Sequence, residues 1–330
     1  MKSNYDFIAI GDIVTDAFIK LREAEVICDD HKENCKLCMR FADKVPFEDV
    51  WVVPAVGNSP NAAVSAARLG LKSALVSNLG DDYFGQECLD VLDSEKVGKD
   101  FVKKHQGIKT NYHYVLWYGS DRTILIKHEK YPYSLPDIGT PAWVYLSSLG
   151  EDSLSFHAEL EKYLAAHPEI KLAFQPGTFQ IKFGKEKIAG IYKRTDVFFC
   201  NKEEARRILG TQEEEIKKLL QMISELGPKI TVITDGVNGA YAYDGKETWS
   251  IREYPDPKPP LQRTGAGDAF SSTFTVALSL GLSIPEALRW GPVNSMSVVQ
   301  KIGARAGLLT RPELEKYLHD APADYIVKNI

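Results

Sequence analysis

Three features of this 330-residue sequence predict an α/β fold, a largely parallel sheet with helices on both faces. Short, unbroken apolar runs recur along the chain, as strands buried on both sides require. Helix-like stretches separate most of these runs. Period-two alternation, the mark of a half-buried sheet, is confined to one region near residues 110–130. Taken in order, residues 5–10 (YDFIAI) form the first run and stop at Gly11, which suits a buried strand feeding a loop. Ser59 and Pro60 open an alanine-rich segment ending at Gly70. Ser as N-cap, Pro in the first turn and Gly past the end predict a helix. Residues 73–79 read as the next strand and 83–97 as a helix; further strands follow at 142–147, 172–175, 196–200 and 229–234. Helices are expected at 268–281 and 285–301. Two stretches break the rhythm: 13–53 holds no good helix, and 110–130 alternates around Gly119-Ser120-Asp121. Together they predict a small β-structured lid, leaving 1–12, 54–109 and 131–330 for the main domain.

Composition narrows the function. Hydrophobic residues make up 44% and charged residues 26%, an ordinary globular balance. A formal net charge of -5 argues against a nucleic-acid or membrane-surface binder, which needs a basic face. The N-terminal apolar stretch is broken by Gly11 and Asp12, and no run of about 18 apolar residues occurs. Five cysteines do not suggest a secreted disulfide framework, so a cytoplasmic protein with reduced thiols is expected.

The most informative segment is Arg263-Thr264-Gly265-Ala266-Gly267-Asp268-Ala269-Phe270. Gly265, Ala266 and Gly267 would present bare backbone amides at a helix start, where unpaired N–H groups and the helix dipole favour an anion. A carboxylate, Asp268, is an odd neighbour for a bound phosphate. It makes sense if the amides hold charge developing on a transferring phosphoryl group while Asp268 takes the proton of an attacking hydroxyl. The plain alternative is a Gly-rich turn with an Asp that caps the helix. No Gly-x-x-x-x-Gly-Lys-Ser/Thr occurs, so any phosphate site is not a P-loop.

Four motifs in order make the segment part of a larger pattern. Gly57-Asn58-Ser59-Pro60-Asn61 leads to Ala67-Arg68-Leu69-Gly70 and Leu79-Gly80-Asp81-Asp82. Then come Asn201-Lys202-Glu203-Glu204, Thr234-Asp235-Gly236-Val237-Asn238-Gly239 and Gly265–Phe270. The sequence resembles the ribokinase-like, or PfkB-type, carbohydrate kinases over nearly its whole length. The resemblance implies a doubly wound α/β domain with a small β-sheet lid and an ATP- and Mg²⁺-dependent kinase of a sugar or nucleoside. It implies Asp268 as base, with Gly265, Ala266 and Gly267 as the anion hole. Asn201 and Glu204 would position Mg²⁺-bound phosphate, Glu204 through water; a helix-capping pair is the competing reading. Thr234, Asp235, Gly236 and Gly239 would follow the nucleotide phosphates, and Asn294 would border the adenine. Asp16, preferred over Asp12, would bind acceptor hydroxyls with Gly57, Asn58 and Asn61. A homodimer through the lid is the assembly considered, and a sugar- or nucleotide-sensing pseudokinase is the rival function.

The sequence also departs from this pattern. Gln262-Arg263 replaces the Asp-Thr that opens the C-terminal motif, so K⁺ activation is not expected, and Val56 replaces a Gly. No basic residue is evidently aimed at a second phosphate, which favours an unphosphorylated acceptor. Cys28, His31, Cys35 and Cys38 have a spacing open to tetrahedral Zn²⁺, although the loop is short for four ligands and a thiol turn is preferred. Cys88 and Cys200 are expected in the core.

Overall fold

Phe7, Ile8, Ala9 and Ile10 have no polar side chain among them, and they form a fully buried strand. A computed structural model describes residues 3–29, 35–119 and 121–330. The first half runs β1 (Phe7–Ile10), β2 (Val14–Leu21), β3 (Glu25–Ile27), β4 (Lys36–Cys38), β5 (Phe47–Val56), α1 (Asn58–Arg68), β6 (Ser73–Gly80), α2 (Tyr83–Ser94), β7 (Val102–His105), β8 (Asn111–Tyr118) and β9 (Asp121–Leu125). Next come β10 (Trp143–Leu146), α3 (Leu154–Ala166), β11 (Lys171–Phe174), α4 (Thr178–Phe183), α5 (Ala189–Arg194), β12 (Val197–Asn201), α6 (Lys202–Leu209) and α7 (Ile216–Ser224). The chain closes with β13 (Ile230–Thr234), β14 (Ala240–Tyr243), β15 (Thr248–Ile251), α8 (Ala266–Ser279), α9 (Ile284–Val299), α10 (Arg311–His319) and β16 (Lys328–Asn329).

The main sheet has ten strands in the order β7-β6-β1-β10-β11-β12-β13-β14-β15-β16. It is parallel from β7 to β13 and antiparallel beyond. Alternate residues of β1 enter opposite cores. Phe7 and Ala9 pack with residues of α1, α8 and α9, whereas Ile8 and Ile10 pack with α3, α5 and α7. Helices therefore cover both faces, as the run of unalternating apolar residues requires. From β1 the chain steps one way to β6 and later the other way to β10. Such a reversal opens a crevice at the carboxyl ends of the strands.

A second sheet, in the order β5-β2-β8-β9, draws its strands from the two stretches that lack helix signals, with β5 running on to Val56. It is mixed: β2 pairs antiparallel with β5 but parallel with β8, and β8 and β9 form a hairpin. Ser120 lies outside the described residues. β3 and β4 form a separate short hairpin between β2 and β5.

Two local expectations are corrected. Ser59 is not the cap of α1: the helix starts at Asn58, with Gly57 as N-cap at φ 123. A Cβ there would come within 2.7 Å of the Asp12 carbonyl oxygen, so the missing side chain lets the turn close two residues early. Ser59 instead donates its hydroxyl to the Ile10 carbonyl at 2.7 Å and ties α1 to the end of β1. The expectation of reduced thiols also differs, because Cys28 and Cys35 form a disulfide. No helix among the described residues is long and apolar enough to cross a membrane.

Where β5 re-enters the main domain, Ala55 is fully buried at φ 56, a region that disfavours residues with a Cβ. Arg305 Nη1 donates to the carbonyls of Pro54 at 2.8 Å and Ala55 at 2.9 Å and holds this bend. Replacing it with Met (Arg305→Met) leaves both acceptors without that donor. We expect a loss of about 1–3 kcal/mol in urea unfolding; unchanged stability would show that the bend needs no tie.

Candidate functional site

The strands β1, β10, β11, β12 and β13 all end at one edge, and the polar residues that follow them line a cavity of about 340 Å³. α8 supplies its floor. Gly265 caps this helix in the left-handed region at φ 83. Any Cβ at that position would lie 2.4 Å from the Ala304 side chain, so only Gly fits. The amides of Ala266, Gly267 and Asp268 occupy the first turn, where no preceding carbonyl can accept from them, and the helix dipole favours an anion there.

Asp268 projects from this turn, and three amides brought from distant parts of the chain grip its carboxylate. Asn58 Nδ2 donates to Oδ1 at 2.8 Å, Asn61 Nδ2 to Oδ2 at 2.9 Å, and Gln175 Nε2 to Oδ1 at 3.1 Å. Fully buried Tyr145 donates its hydroxyl to Gln175 Oε1 at 2.5 Å, which fixes the amide with its nitrogen toward Asp268. Burial pushes the Asp268 carboxyl above its usual range, while the hydrogen bonds from Asn61, Gln175 and Asn58 pull it back. The result is an ionisable oxygen pair held rigidly beside an anion-binding helix end.

Among the sequence-predicted acceptor residues, Asp16, Gly57, Asn58 and Asn61 all line the same cavity. Asp16 is 7% exposed, with Oδ1 3.4 Å from His113 Nδ1 and without a hydrogen-bond partner. Asp12 lies there too, but its carboxylate is already engaged. His128 Nδ1 is 2.8 Å from Oδ2, and the Tyr133 hydroxyl bonds both oxygens at 2.9 and 3.0 Å.

Asn201 and Glu204 also line this cavity, and they cap α6 reciprocally. Asn201 Oδ1 accepts from the Glu204 amide at 2.8 Å, and Glu204 Oε2 accepts from the Asn201 amide at 2.9 Å. The capping role and a phosphate-side role are therefore compatible in space. Burial raises the Glu204 carboxyl above its ordinary value, opposed by the Asn201 amide bond.

A second cavity of about 300 Å³ adjoins the first, sharing Thr234, Gly267 and Arg263 as lining. Gly236, Gly239 and Ala266 also line it, Glu253, Asp256 and Ser295 add polar side chains, and Phe270, Pro292 and Met296 form an apolar side. Two expected nucleotide residues line neither cavity. Asp235 accepts from Asn238 Nδ2 at 3.1 Å within its own turn. Asn294 is fully buried, donating to Thr273 Oγ1 at 2.8 Å and accepting from the Leu309 amide at 2.9 Å. Its helix presents Pro292, Ser295 and Met296 to the cavity instead, because Asn294 faces inward to satisfy buried groups.

Gln262 is buried behind the anion-binding turn. Its Nε2 donates to the carbonyls of Lys301 at 3.0 Å and Thr264 at 3.4 Å, and its Oε1 accepts from the Thr264 amide at 2.6 Å. An uncharged amide donor here already occupies the Lys301 and Thr264 carbonyls. The cysteine cluster does not offer four zinc ligands. Cys28 and Cys35 are spent on the disulfide, the Cys38 thiol is free, and His31 lies outside the described residues. Among the described residues no group of three or more His, Cys, Asp or Glu could hold a metal. Cys88 and Cys200 are buried core residues, the Cys88 thiol being pushed up to about 11 by burial.

Sequence reasoning missed Gln175, Tyr145, Arg122, His113 and His128. Gln175 carried a signal, a polar residue at the carboxyl end of an apolar run; nothing in the local pattern singled out the others.

The sequence matches the family described as pfkB family carbohydrate kinase over residues 30–311. The chain belongs to the PfkB family of carbohydrate kinases. It is 28% identical to ribokinase of Bacillus subtilis over 275 residues, covering 79% of this chain and 87% of that protein. Cytidine kinase of Thermococcus kodakarensis is 29% identical over 265 residues, 75% of this chain and 88% of the relative. The fold matches ribokinase of Arabidopsis thaliana solved with ribose and ATP, at a TM-score of 0.77 and 20% identity. The match covers 96% of this chain and 99% of that one. This PfkB-family chain is thus an ATP-dependent carbohydrate or nucleoside kinase, a phosphotransferase with an alcohol acceptor.

The grip on Asp268 has a pH signature. Gln175→Leu removes a donor that favours the ionised carboxylate and so raises the Asp268 pKa further. Were Asp268 the group whose ionisation limits turnover, the acid limb of kcat/KM would move to higher pH. A limb that stays in place would remove Gln175 from the electrostatics of the site.

Proposed function

We propose that this kinase transfers the γ-phosphoryl group of ATP to a hydroxyl of a sugar or nucleoside, with Asp268 as general base. The observation that carries the reading is a single helical turn that bears both an anion-binding end and an immobilised carboxylate. The acceptor occupies the first cavity, where Asp16, with its unfilled oxygen, and the amides of Asn58 and Asn61 suit a polyol. The nucleotide lies along Thr234, Gly236 and Gly239, its base in the apolar second cavity beside Phe270, Pro292 and Met296.

In the transfer step the acceptor O–H proton passes to the Asp268 carboxylate as the oxygen attacks the γ-phosphorus. The bond to the β,γ-bridging oxygen breaks and ADP leaves with that electron pair. The amides of the α8 first turn face the charge on the moving group. Asn201 and Glu204 fit a hard cation that keeps its waters, since Glu204 has one oxygen outside the capping pair. Mg²⁺ bound there would neutralise nucleotide phosphate charge. The second sheet, built from β5, β2, β8 and β9, forms a lid over the acceptor and shields the reaction from water.

Asp268→Asn should keep the fold and ATP binding while lowering kcat by on the order of 10²–10⁴. Turnover at the wild-type rate would remove Asp268 from the chemistry.

Gln262 gives a second expectation. Exchanging K⁺ for tetramethylammonium at constant ionic strength should change the rate by less than about twofold, as expected where an amide already satisfies the carbonyls. Gln262→Asp should make the rate respond to K⁺. A strong, saturable K⁺ requirement in the wild-type protein would overturn this account.

A further inference from the structure

The first cavity extends well past its hydroxyl-binding groups. Arg122 and Ile124 on β9 and Ile126 just beyond it line the cavity at alternate positions, as one face of an extended segment must. At strand spacing these three cover about 13 Å, longer than one sugar ring. Ile124 and Ile126 remain 36% and 51% exposed. Three aromatic rings also line the cavity. His113 on β8 and His128 beyond β9 lie 5.3 Å apart between ring centroids, and Phe179 at the start of α4 meets His128 edge-on at 5.4 Å. Carboxylates hold both imidazoles on one side. Asp12 Oδ2 is 2.8 Å from His128 Nδ1, and Asp16 Oδ1 is 3.4 Å from His113 Nδ1, where β8 pairs with β2. On its other side the His113 Nε2 is buried without a hydrogen-bond partner. Such an atom is costly unless a ligand answers it.

We propose that His113, His128, Phe179, Ile124 and Ile126 form a second acceptor subsite that takes a heteroaromatic base, so that the acceptor is a nucleoside rather than a free sugar. Two kinds of surface meet in this cavity. Asp16 Oδ1 and Asn61 Oδ1 are buried acceptors without hydrogen-bond partners, and they suit the hydroxyls of a ribose. The rings and isoleucines offer flat and apolar faces with one unanswered nitrogen. That combination complements a planar ring with a polar edge, not another hydroxylated carbon. An anionic substituent is disfavoured there, because the Asp12 and Asp16 carboxylates stand directly behind both imidazoles. A flexible alkyl substituent would cover the isoleucines but leave His113 Nε2 unanswered. These side chains select the acceptor and take no part in the transfer itself.

This assignment rests on the kinase reading, and its test keeps the two failures apart. Steady-state kinetics with ATP compares purine and pyrimidine nucleosides with ribose, deoxyribose, hexoses and sugar phosphates. Nucleosides should exceed every free sugar in kcat/KM by on the order of 10². Phe179→Ala should raise nucleoside KM by about tenfold. His113→Phe, which keeps a ring and deletes the Nε2 atom, should raise it by about fivefold. The KM for ATP should stay near the wild-type value in both variants, which checks that they are folded. Calorimetric titration of a nucleoside needs no turnover, and Phe179→Ala should weaken that binding by about tenfold as well. Nucleoside binding that depends on Phe179 without any phosphorylation would defeat the kinase reading and leave the subsite standing. Free sugars or sugar phosphates used as well as nucleosides would overturn the subsite. Unchanged nucleoside KM and affinity in both variants would do the same.

Discussion

Everything at this site depends on keeping one carboxylate charged, still and partly out of water. Burial alone would protonate Asp268, and a freely solvated aspartate would be mobile and weakly basic. Three side-chain amides resolve the conflict: each donates to the anion without adding a charge of its own. They come from the start of α1 and the end of β11, so this held carboxylate exists only when α1, β11 and α8 converge. The Ser59 tie to β1 and the Tyr145 contact to Gln175 fix the two donor platforms from behind. Fold and site are thus linked through three hydrogen bonds that reach Asp268 from residues 93 to 210 positions away.

The strand–helix rhythm was legible because burial on both faces leaves a plain mark, an apolar run with no alternation. The strands at 142–147, 172–175, 196–200 and 229–234 appear as β10, β11, β12 and β13 within a residue or two. The anion-binding turn was legible for a related reason, since glycines at a helix start record close backbone approach. Side chains that act across the fold left no such trace. Gln175 is adjacent to Asp268 only because β11 ends beside α8, and Arg122 enters the cavity only because β9 folds back along β8. The Ser59 cap failed because a Gly with freedom at φ 123 precedes it, and a side-chain cap was not needed. Asn294 engages the core, because a buried amide near a pocket can serve the core as well as a ligand.

The region between β2 and β5 illustrates the limit of spacing arguments. Cysteines at intervals of seven and three are compatible with metal, disulfide or free thiol. The pairing is decided by which strands meet, and β3 and β4 bring Cys28 and Cys35 together while leaving Cys38 apart. Gln262 is a comparable case in which chemistry replaces chemistry. An amide there can donate to carbonyls and accept from an amide in one plane, giving neutral cohesion to a loop of partly negative oxygens.

The shared wall between the two cavities has a consequence for ligand design. Thr234, Gly267 and Arg263 line both, so an occupant of one cavity and an occupant of the other would lie against the same three residues. A single molecule that joins a polyol to a nucleoside through a short anionic bridge could span both chambers and cross above the glycine. Its second half would then bind at the high effective concentration set by the tether rather than by its concentration in solution. The length of that bridge, varied by one atom at a time, would act as a ruler for the separation of donor and acceptor across the helix end.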